Sequence, residues 1–118
     1  MKKIKTFNYL KHYREQSGFS LQDIAGVLAM HPATLSRIES GIITPGIEVI
    51  FAYHFILDLS IEKLFKEHVI KVVKSCLSNA EDLQEKLLDQ RSTTSIHKRL
   101  SLIEIIISRL EELESQYE

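Results

Sequence analysis

The chain has 118 residues and a mass of 13.6 kDa, the size of one domain or of a small domain with an appendage, so a large two-domain enzyme is not expected. Hydrophobic residues make up 44% and charged residues 26%, which is close to globular averages and excludes a compositionally disordered chain. With 4 Gly and 2 Pro, the chain has too few turn-forming residues for a β-sandwich or barrel, so we expect an all-α fold.

The net charge of −1 conceals an uneven distribution. Residues 1–66 hold 8 basic and 6 acidic side chains, whereas residues 67–118 hold 7 and 10. Residues 1–14 contain five cations and no acid, which favours a polyanionic partner, although a short basic terminus can also serve solubility alone. These cations are Lys2, Lys3, Lys5, Lys11 and Arg14.

The cysteine count and the N-terminus favour a cytoplasmic protein. Cys76 is the one cysteine, so it cannot form an internal disulfide, and a thiolate zinc site is not indicated. The basic N-terminus is not followed by an apolar segment or a cleavage site, and His54 interrupts the longest apolar run. We therefore expect neither a signal peptide nor a membrane span.

Five helices are predicted in the first half of the chain, over residues 7–16, 20–28, 32–40, 47–57 and 60–65. Ser20 and Ser60 are good N-cap residues, and His31 occupies the cap position before Pro32. The third helix places Leu35 and its neighbour Ile38 inward and leaves a small, polar outer face with one arginine. The fourth helix is apolar nearly all round, which is typical of burial by its own core and by a partner.

The second half predicts an antiparallel helical hairpin. Two apolar stripes follow coiled-coil-like spacing and are separated by a polar turn over residues 89–95. The first stripe contains Val69, Val73, Cys76, Ala80, Leu83 and Leu87, which makes Cys76 a small buried hydrophobe. The second contains Ile96, Leu100, Ile103, Ile107 and Leu110, and further apolar residues widen this face enough to require docking on the N-terminal domain or on another chain.

Two short helices joined by about three residues, with a capped second helix, meet the requirements of a helix-turn-helix. Small outward side chains let such a helix enter a major groove about 12 Å wide. The segments GFSLQDIAGVL at 18–28 and PATLSRIESG at 32–41, followed by Pro45, resemble the xenobiotic response element family, which includes phage repressors and Cro proteins. The resemblance covers residues 7–66 and implies a five-helix, lambda-repressor-like DNA-binding domain.

The resemblance also implies roles for individual residues. The base-facing residues of recognition helix 32–40 would be Pro32, Ala33, Thr34, Ser36 and Arg37. The residues near the phosphates would be Ser20, Leu21, His31, Ser40 and Thr44, with Lys5 and Lys11 adding charge. Arg14 and Glu39 match a pair that is architectural in the family. Arg37 is the side chain we expect to read sequence, with a solvated surface arginine as the alternative, and Ala33 is either a thymine-methyl contact or a helix-forming spacer.

Three positions depart from the family pattern. Leu21 replaces a frequent glutamine, Ala29 replaces the usual turn glycine, and residues 42–44 lack the cations that many relatives carry there. If Ala29 has a positive φ, its conformational cost is roughly 1 kcal/mol. Phosphate affinity is therefore expected to depend on backbone N–H groups and on the basic N-terminus.

The sequence contains few residue patterns that indicate an enzyme. No two of the five histidines are three or four residues apart, so no helix face offers a metal a histidine pair, and no glycine-rich phosphate loop is present. The acidic residues of the last helix fit a solvated face better than an acid/base pair. We expect neither an enzyme nor a cofactor.

The sequence thus predicts a DNA-binding domain over residues 1–66 and a hairpin for dimerisation or partner binding over residues 67–118. The expected function is a sequence-specific transcriptional regulator, a repressor, that binds double-stranded DNA as a homodimer. The alternatives are a protein-interaction module and an antitoxin whose hairpin binds a toxin. The residues expected to contact a second copy or a partner are Ile47, Ile50, Phe51, Ile103, Ile106, Ile107 and Leu110.

Overall fold

A computed structural model describes residues 7–117. Within this range the chain forms seven helices and no strand, which confirms the all-α prediction. The chain divides into two compact units between His68 and Val69. The helices are α1 (Leu10–Gln16), α2 (Leu21–Val27), α3 (Pro32–Glu39), α4 (Ile47–Leu57), α5 (Ile61–Leu64), α6 (Lys66–Leu88) and α7 (Thr94–Gln116).

The first turns of α2, α3 and α5 are capped by the side chains that the sequence indicated. Ser20 Oγ accepts a hydrogen bond from Asp23 N, and Ser60 Oγ accepts one from Lys63 N. His31 Nδ1 accepts from Ala33 N at 3.2 Å, directly before Pro32 at the first helical position. Because these caps satisfy donors that a helix leaves unpaired, they fix where each helix begins.

The first three helices end in the same backbone motif. The residue after the C-cap has a positive φ in each case: 85° at Gly18, 52° at Ala29 and 83° at Gly41. In each motif the next two N–H groups bond back to the last turn, as in the bonds of Met30 N to Ala25 O and of Ala29 N to Gly26 O. Ala29 therefore occupies a left-handed position that glycine fills in the other two helices.

The core of the first unit lies between helices α1 to α5. Leu10, Leu35 and Leu64 are fully buried, and Tyr9 N donates to Leu64 O at 2.9 Å. Asn8 joins two helix ends, because its Oδ1 accepts from Leu10 N while its Nδ2 donates to Ile38 O. These contacts fix α3 against the start of α1.

Helix α4 buries one side and exposes the other. Val49, Tyr53 and Leu57 face the core, whereas Phe51 and Phe55 are exposed and stack with ring centroids 6.1 Å apart. The expected burial on its own core is present, whereas the side that carries Phe51 and Phe55 is exposed.

The second unit is the expected helical hairpin. Thr93 Oγ1 caps α7 by accepting from Ile96 N. Ile70 and Val73 of α6 line one shallow pocket with Glu114 and Tyr117 of α7, so the start of α6 lies beside the end of α7 and the two helices are antiparallel. Val73, Leu77, Leu87 and Ile103 are buried between them.

The predicted apolar stripe of α6 is wrong at two positions. Cys76 and Leu83 are exposed, whereas Leu77 is buried and Gln84 is half-buried in their place. From Val73 the buried stripe advances by four residues to Leu77 instead of three to Cys76, because the face that turns inward depends on how α6 packs against α7 and not on the apolar spacing alone. The interpretation of Cys76 as a buried small hydrophobe is therefore corrected.

Candidate nucleic-acid interface

The helix-turn-helix is formed by α2, residues 28–31 and α3. Ile24 and Ala25 bury the inner side of α2, and Leu35 and Ile38 bury that of α3. Since the turn between them is closed by the two backbone bonds around Ala29, the outer side of α3 is held in a fixed orientation.

Every backbone donor in the first turn of α3 is occupied. Pro32 has no N–H, Ala33 N donates to His31 Nδ1, and both Thr34 N and the next amide donate to His31 O. The start of α3 therefore has no free backbone N–H for a ligand. Any contact that this helix makes with a ligand in front of it must come from side chains.

The residues expected to face bases differ in exposure. Ala33, Ser36 and Arg37 are exposed, whereas Pro32 and Thr34 are half-buried. Ser40, directly after α3, lies on the exposed side as well. The exposed surface of α3 is thus made of small side chains and one long cation.

The guanidinium of Arg37 makes no ion pair with any described residue. Its backbone carbonyl is occupied, because it accepts from Ile42 N and from Ser40 Oγ. The position of Arg37 is therefore fixed by the backbone, while all of its side-chain donors remain available to a ligand.

The residues expected to contact phosphates differ in whether they have a free side-chain hydrogen-bond donor. Ser20 accepts at its Oγ and keeps its hydroxyl proton to donate, and His31, which accepts at Nδ1, carries its proton on Nε2 when neutral. Ser40 Oγ already donates to Arg37 O, so a phosphate bond from it requires that bond to break. Leu21 is half-buried with no side-chain donor, Lys11 and Thr44 are exposed, and Lys5 lies outside the described residues.

Arg14 and Glu39 form a buried ion pair that fixes α3. Arg14 Nε donates to Glu39 Oε2 at 2.7 Å and Nη2 donates to Oε1 at 3.0 Å, with side chains only 8% and 3% exposed. Arg14 Nη1 also donates to Phe19 O, and Tyr53 Oη donates to Glu39 Oε2 at 2.7 Å. The cluster therefore connects α1, the turn before α2, α3 and α4.

The chemistry of this cluster shifts two pKa values. The hydrogen bond to Glu39 raises the pKa of Arg14 above its usual value. Burial, together with the hydrogen bond to Glu39, raises the pKa of Tyr53 well above that of a free phenol. No buried side-chain nitrogen or oxygen among residues 7–117 lacks a hydrogen-bond partner.

Tyr53 and Asn8 are the residues of this region that the sequence analysis missed. A signal for Tyr53 existed, because its hydroxyl lies in a helix that is otherwise apolar nearly all round and needs a partner when buried. No comparable signal marks Asn8, whose amide bonds to a carbonyl 30 residues away.

The residues expected to contact a second copy fall into two groups. Ile47 and Phe51 are exposed on α4, with Ile50 half-buried between them, and Ile106 is exposed on α7. Ile103 is buried, and both Ile107 and Leu110 are half-buried on the α7 stripe that faces α6. A partner molecule can therefore reach Ile106 more readily than these three neighbours.

Comparison with known proteins agrees with this geometry. Residues 8–55 match the family model of a helix-turn-helix domain. The match covers α1 to α3 and most of α4, which are the elements joined by the Arg14 and Glu39 cluster. Neither a curated protein nor a solved structure matches the chain significantly. Helix-turn-helix domains are typical of DNA-binding regulators.

Two further features, a metal-binding cluster and a membrane-spanning helix, are absent among the described residues. Residues 7–117 contain no group of three or more histidine, cysteine, aspartate or glutamate side chains able to hold a metal ion. None of the helices described is both long and apolar enough to cross a bilayer.

Proposed function

We propose that the chain is a sequence-specific DNA-binding transcriptional regulator, a repressor, that inserts α3 into the major groove as a homodimer. In this proposal residues 1–66 form the DNA-binding domain and residues 67–118 the association domain. The observation that carries the proposal is the exposed surface of α3, where small side chains surround the unpaired guanidinium of Arg37.

The surface of α3 supports side-chain readout. Ala33 and Ser36 are small enough to let the helix approach base edges closely, and Arg37 can donate two parallel bonds to guanine O6 and N7. Such a bidentate contact discriminates against a wrong base by about 1–3 kcal/mol. Pro32 and Thr34 would border this contact at the start of the helix.

Phosphate contacts would position α3 without reading sequence. Ser20 and His31 each have a free side-chain donor, and Lys11 adds a positive charge. Because these contacts are few, we expect a modest affinity that falls only gradually as the salt concentration rises.

A homodimer would present two copies of α3 to one face of the duplex. Two copies of a helix-turn-helix that are related by a twofold axis read half-sites about one helical turn, roughly 34 Å, apart. The proposal therefore predicts an operator with inverted-repeat symmetry.

Selection of bound duplexes from a random library tests the proposal. We expect an enriched inverted repeat, and we expect Arg37→Ala to lower affinity for it about 10-fold or more with loss of discrimination at one position of each half-site. Arg91→Ala removes the same charge from the turn before α7 and serves as the matched control, because Arg91 is exposed and lies outside the matched domain. No enrichment at low salt would reject the proposal.

The alternative class is a protein-interaction module or an antitoxin. The exposed apolar residues of α4 and of the second unit favour it, because large apolar patches mark protein contacts. The selection above distinguishes the two classes, since such a module would bind a protein partner and would enrich no duplex.

A further inference from the structure

Helix α7 carries two separate apolar stripes. The first faces α6 and includes the buried Ile103. The second consists of Leu102, Ile106 and Leu113, which are 39–52% exposed. At 3.6 residues per turn, each residue advances about 100° around the helix, so the second stripe is turned by roughly a quarter of a turn from the first.

Helix α6 has the same arrangement. Its buried stripe contains Val73 and Leu77, and its second stripe consists of Val72, Cys76 and Leu83, all exposed. The second stripe is again turned by about a quarter of a turn, in the same rotational sense as in α7. The two positions at which the sequence analysis was wrong, Cys76 and Leu83, both belong to this second stripe.

The two second stripes lie on one side of the hairpin. The helices are antiparallel, and each second stripe is rotated from the buried stripe of its own helix by the same angle and in the same sense along the chain. In this geometry both second stripes point to the same side of the plane that contains the two helix axes. Four glutamates are displaced in the opposite sense and lie on the other side, together with Lys74. They are Glu81, Glu85, Glu104 and Glu111. The hairpin is therefore a two-helix layer with one mainly acidic side and one mainly apolar side, which also carries Arg99.

We propose that the apolar side of the hairpin, defined by Val72, Cys76, Leu83, Leu102, Ile106 and Leu113, binds the same side of a second copy of the chain to form a four-helix bundle. In such a bundle each helix contacts two neighbours about 90° apart, which matches the two stripes on each helix. Because the proposed function includes a homodimer, this inference rests on it and names the surface that the two copies share.

The area of this side is sufficient for a stable dimer. Each of the two helices has 23 residues, and at 1.5 Å per residue the part in the second unit is about 30 Å long. Two helices side by side are roughly 20 Å wide. The contact would bury roughly 600 Å² on each copy and 1,200 Å² in total, which reaches the range of specific interfaces.

The charges at the outer edges of the hairpin fit a second copy with α6 against α7 of the partner. Arg109 borders the apolar stripe of α7 on the side away from α6, and Asp82 lies about 100° from the stripe of α6, on the side away from α7. Since Val73 lies level with Glu114 along the hairpin, Asp82 lies about one turn from the level of Arg109. A twofold axis parallel to the helices therefore brings Arg109 within reach of Asp82 of the partner subunit, where the two would form an ion pair.

Two isoleucines that are adjacent in the chain give a matched test. Ile106 and Ile105 are exposed to 48% and 46%, but only Ile106 lies in the second stripe of α7. Light scattering of the full chain over a concentration series should give a dimer for the wild type and for Ile105→Glu, but a monomer for Ile106→Glu. Circular dichroism should show equal helix content in all three. A wild-type chain that stays monomeric, or an Ile106→Glu variant that stays dimeric, would overturn this inference.

The thiol of Cys76 provides a second measurement that needs no destabilising change. In the proposed bundle it is covered, although it is exposed in the single chain. Its reaction with a soluble disulfide reagent should slow at least 10-fold as the protein concentration rises through the dimer range, and it should stay fast in Ile106→Glu. A fast rate that does not depend on concentration in a dimeric wild type would place the interface elsewhere.

A charge exchange tests the arrangement of the two copies. Arg109→Asp should weaken the dimer, and adding Asp82→Arg should restore it; failure of the double variant to restore the dimer would reject the arrangement. These results are independent of DNA binding. A dimer that enriches no duplex rejects the proposed function alone, and a DNA-binding dimer that persists in Ile106→Glu rejects this interface alone.

Discussion

Arg14 on α1 and Glu39 on α3 form an ion pair through two hydrogen bonds of 2.7 and 3.0 Å, in the interior of the first unit. The pair lies behind the exposed surface of α3 and connects this helix to α1. It gives a buried carboxylate three donors, because Tyr53 Oη donates to the same group. The position of α3 therefore depends on Arg14, Glu39 and Tyr53, which are buried and cannot reach a ligand in front of this helix.

Replacing Glu39 tests the energetic importance of this pair. Glu39→Gln leaves the guanidinium of Arg14 buried without its counter-charge, so we expect the free energy of unfolding to fall by about 3 kcal/mol. Glu15→Gln removes the same charge from the exposed side of α1 and should change it by less than about 0.5 kcal/mol. Urea unfolding of both variants checks the prediction, and equal effects would show that the pair contributes no more than a surface charge.

The raised pKa of Tyr53 predicts a loss of stability at high pH. The ordinary phenol value is 10.0, and the folded-state pKa lies above it, so above pH 10 the unfolded chain loses this proton while the folded chain keeps it. The contribution of the Tyr53 hydroxyl to the free energy of unfolding is therefore complete below pH 10, and it declines as the pH rises above 10. Tyr53→Phe should be less stable by roughly 1.5–3 kcal/mol at pH 7, because a hydrogen bond to a carboxylate is lost.

Denaturant unfolding of wild type and Tyr53→Phe between pH 7 and 11 measures this effect. The two stability curves should approach each other above pH 10, since the variant has no phenol to titrate at this position. Parallel curves over the whole range would contradict the assignment.

The left-handed Ala29 predicts a stabilising substitution. With φ at 52°, the Cβ of Ala29 is strained, and Ala29→Gly should raise the free energy of unfolding by about 1 kcal/mol. Gly18→Ala is the reverse change in the same motif at the end of α1, where a Cβ would meet no atom within 4 Å. It should lower the free energy by a similar amount. Thermal unfolding of both variants measures these changes. Melting temperatures that shift in the same direction in the two variants would contradict the explanation.

The His31 cap predicts a difference between two replacements. His31→Ala leaves Ala33 N without its partner and should cost about 1 kcal/mol. His31→Asn supplies another side-chain acceptor at the cap position and should recover most of the loss. Thermal unfolding of the wild type and of both variants under the same conditions gives the comparison. Equal losses in the two variants would show that the imidazole contributes in some other way than by capping.

Local chemistry made the N-terminal helices predictable. Ser20, His31 and Ser60 act on backbone groups two or three residues away, so the sequence around each position contains the information that determines the cap. Gly18 and Gly41 end helices for a similarly local reason. The resemblance to a known family supplied the pairing of Arg14 with Glu39, because 25 residues separate the two and no periodicity relates them.

The residues of the hairpin could not be assigned with the same accuracy. A helix whose apolar positions alternate by three and four residues has two possible inward stripes when both Cys76 and Leu77 are apolar. The choice depends on how α6 meets α7, which is a tertiary contact. The hydroxyl of Tyr53 likewise finds its partner on another helix, so its role in the Glu39 cluster could be seen only in three dimensions.

The residues of α3 that hold it in the fold are different from those that it exposes. Leu35, Ile38 and Glu39 are buried and hold the helix in place, whereas Ala33, Ser36 and Arg37 are exposed. Since the first turn offers no free backbone donor, the proposed function makes target choice a property of these three side chains alone. Their replacement would then retarget the domain while its interior stays intact.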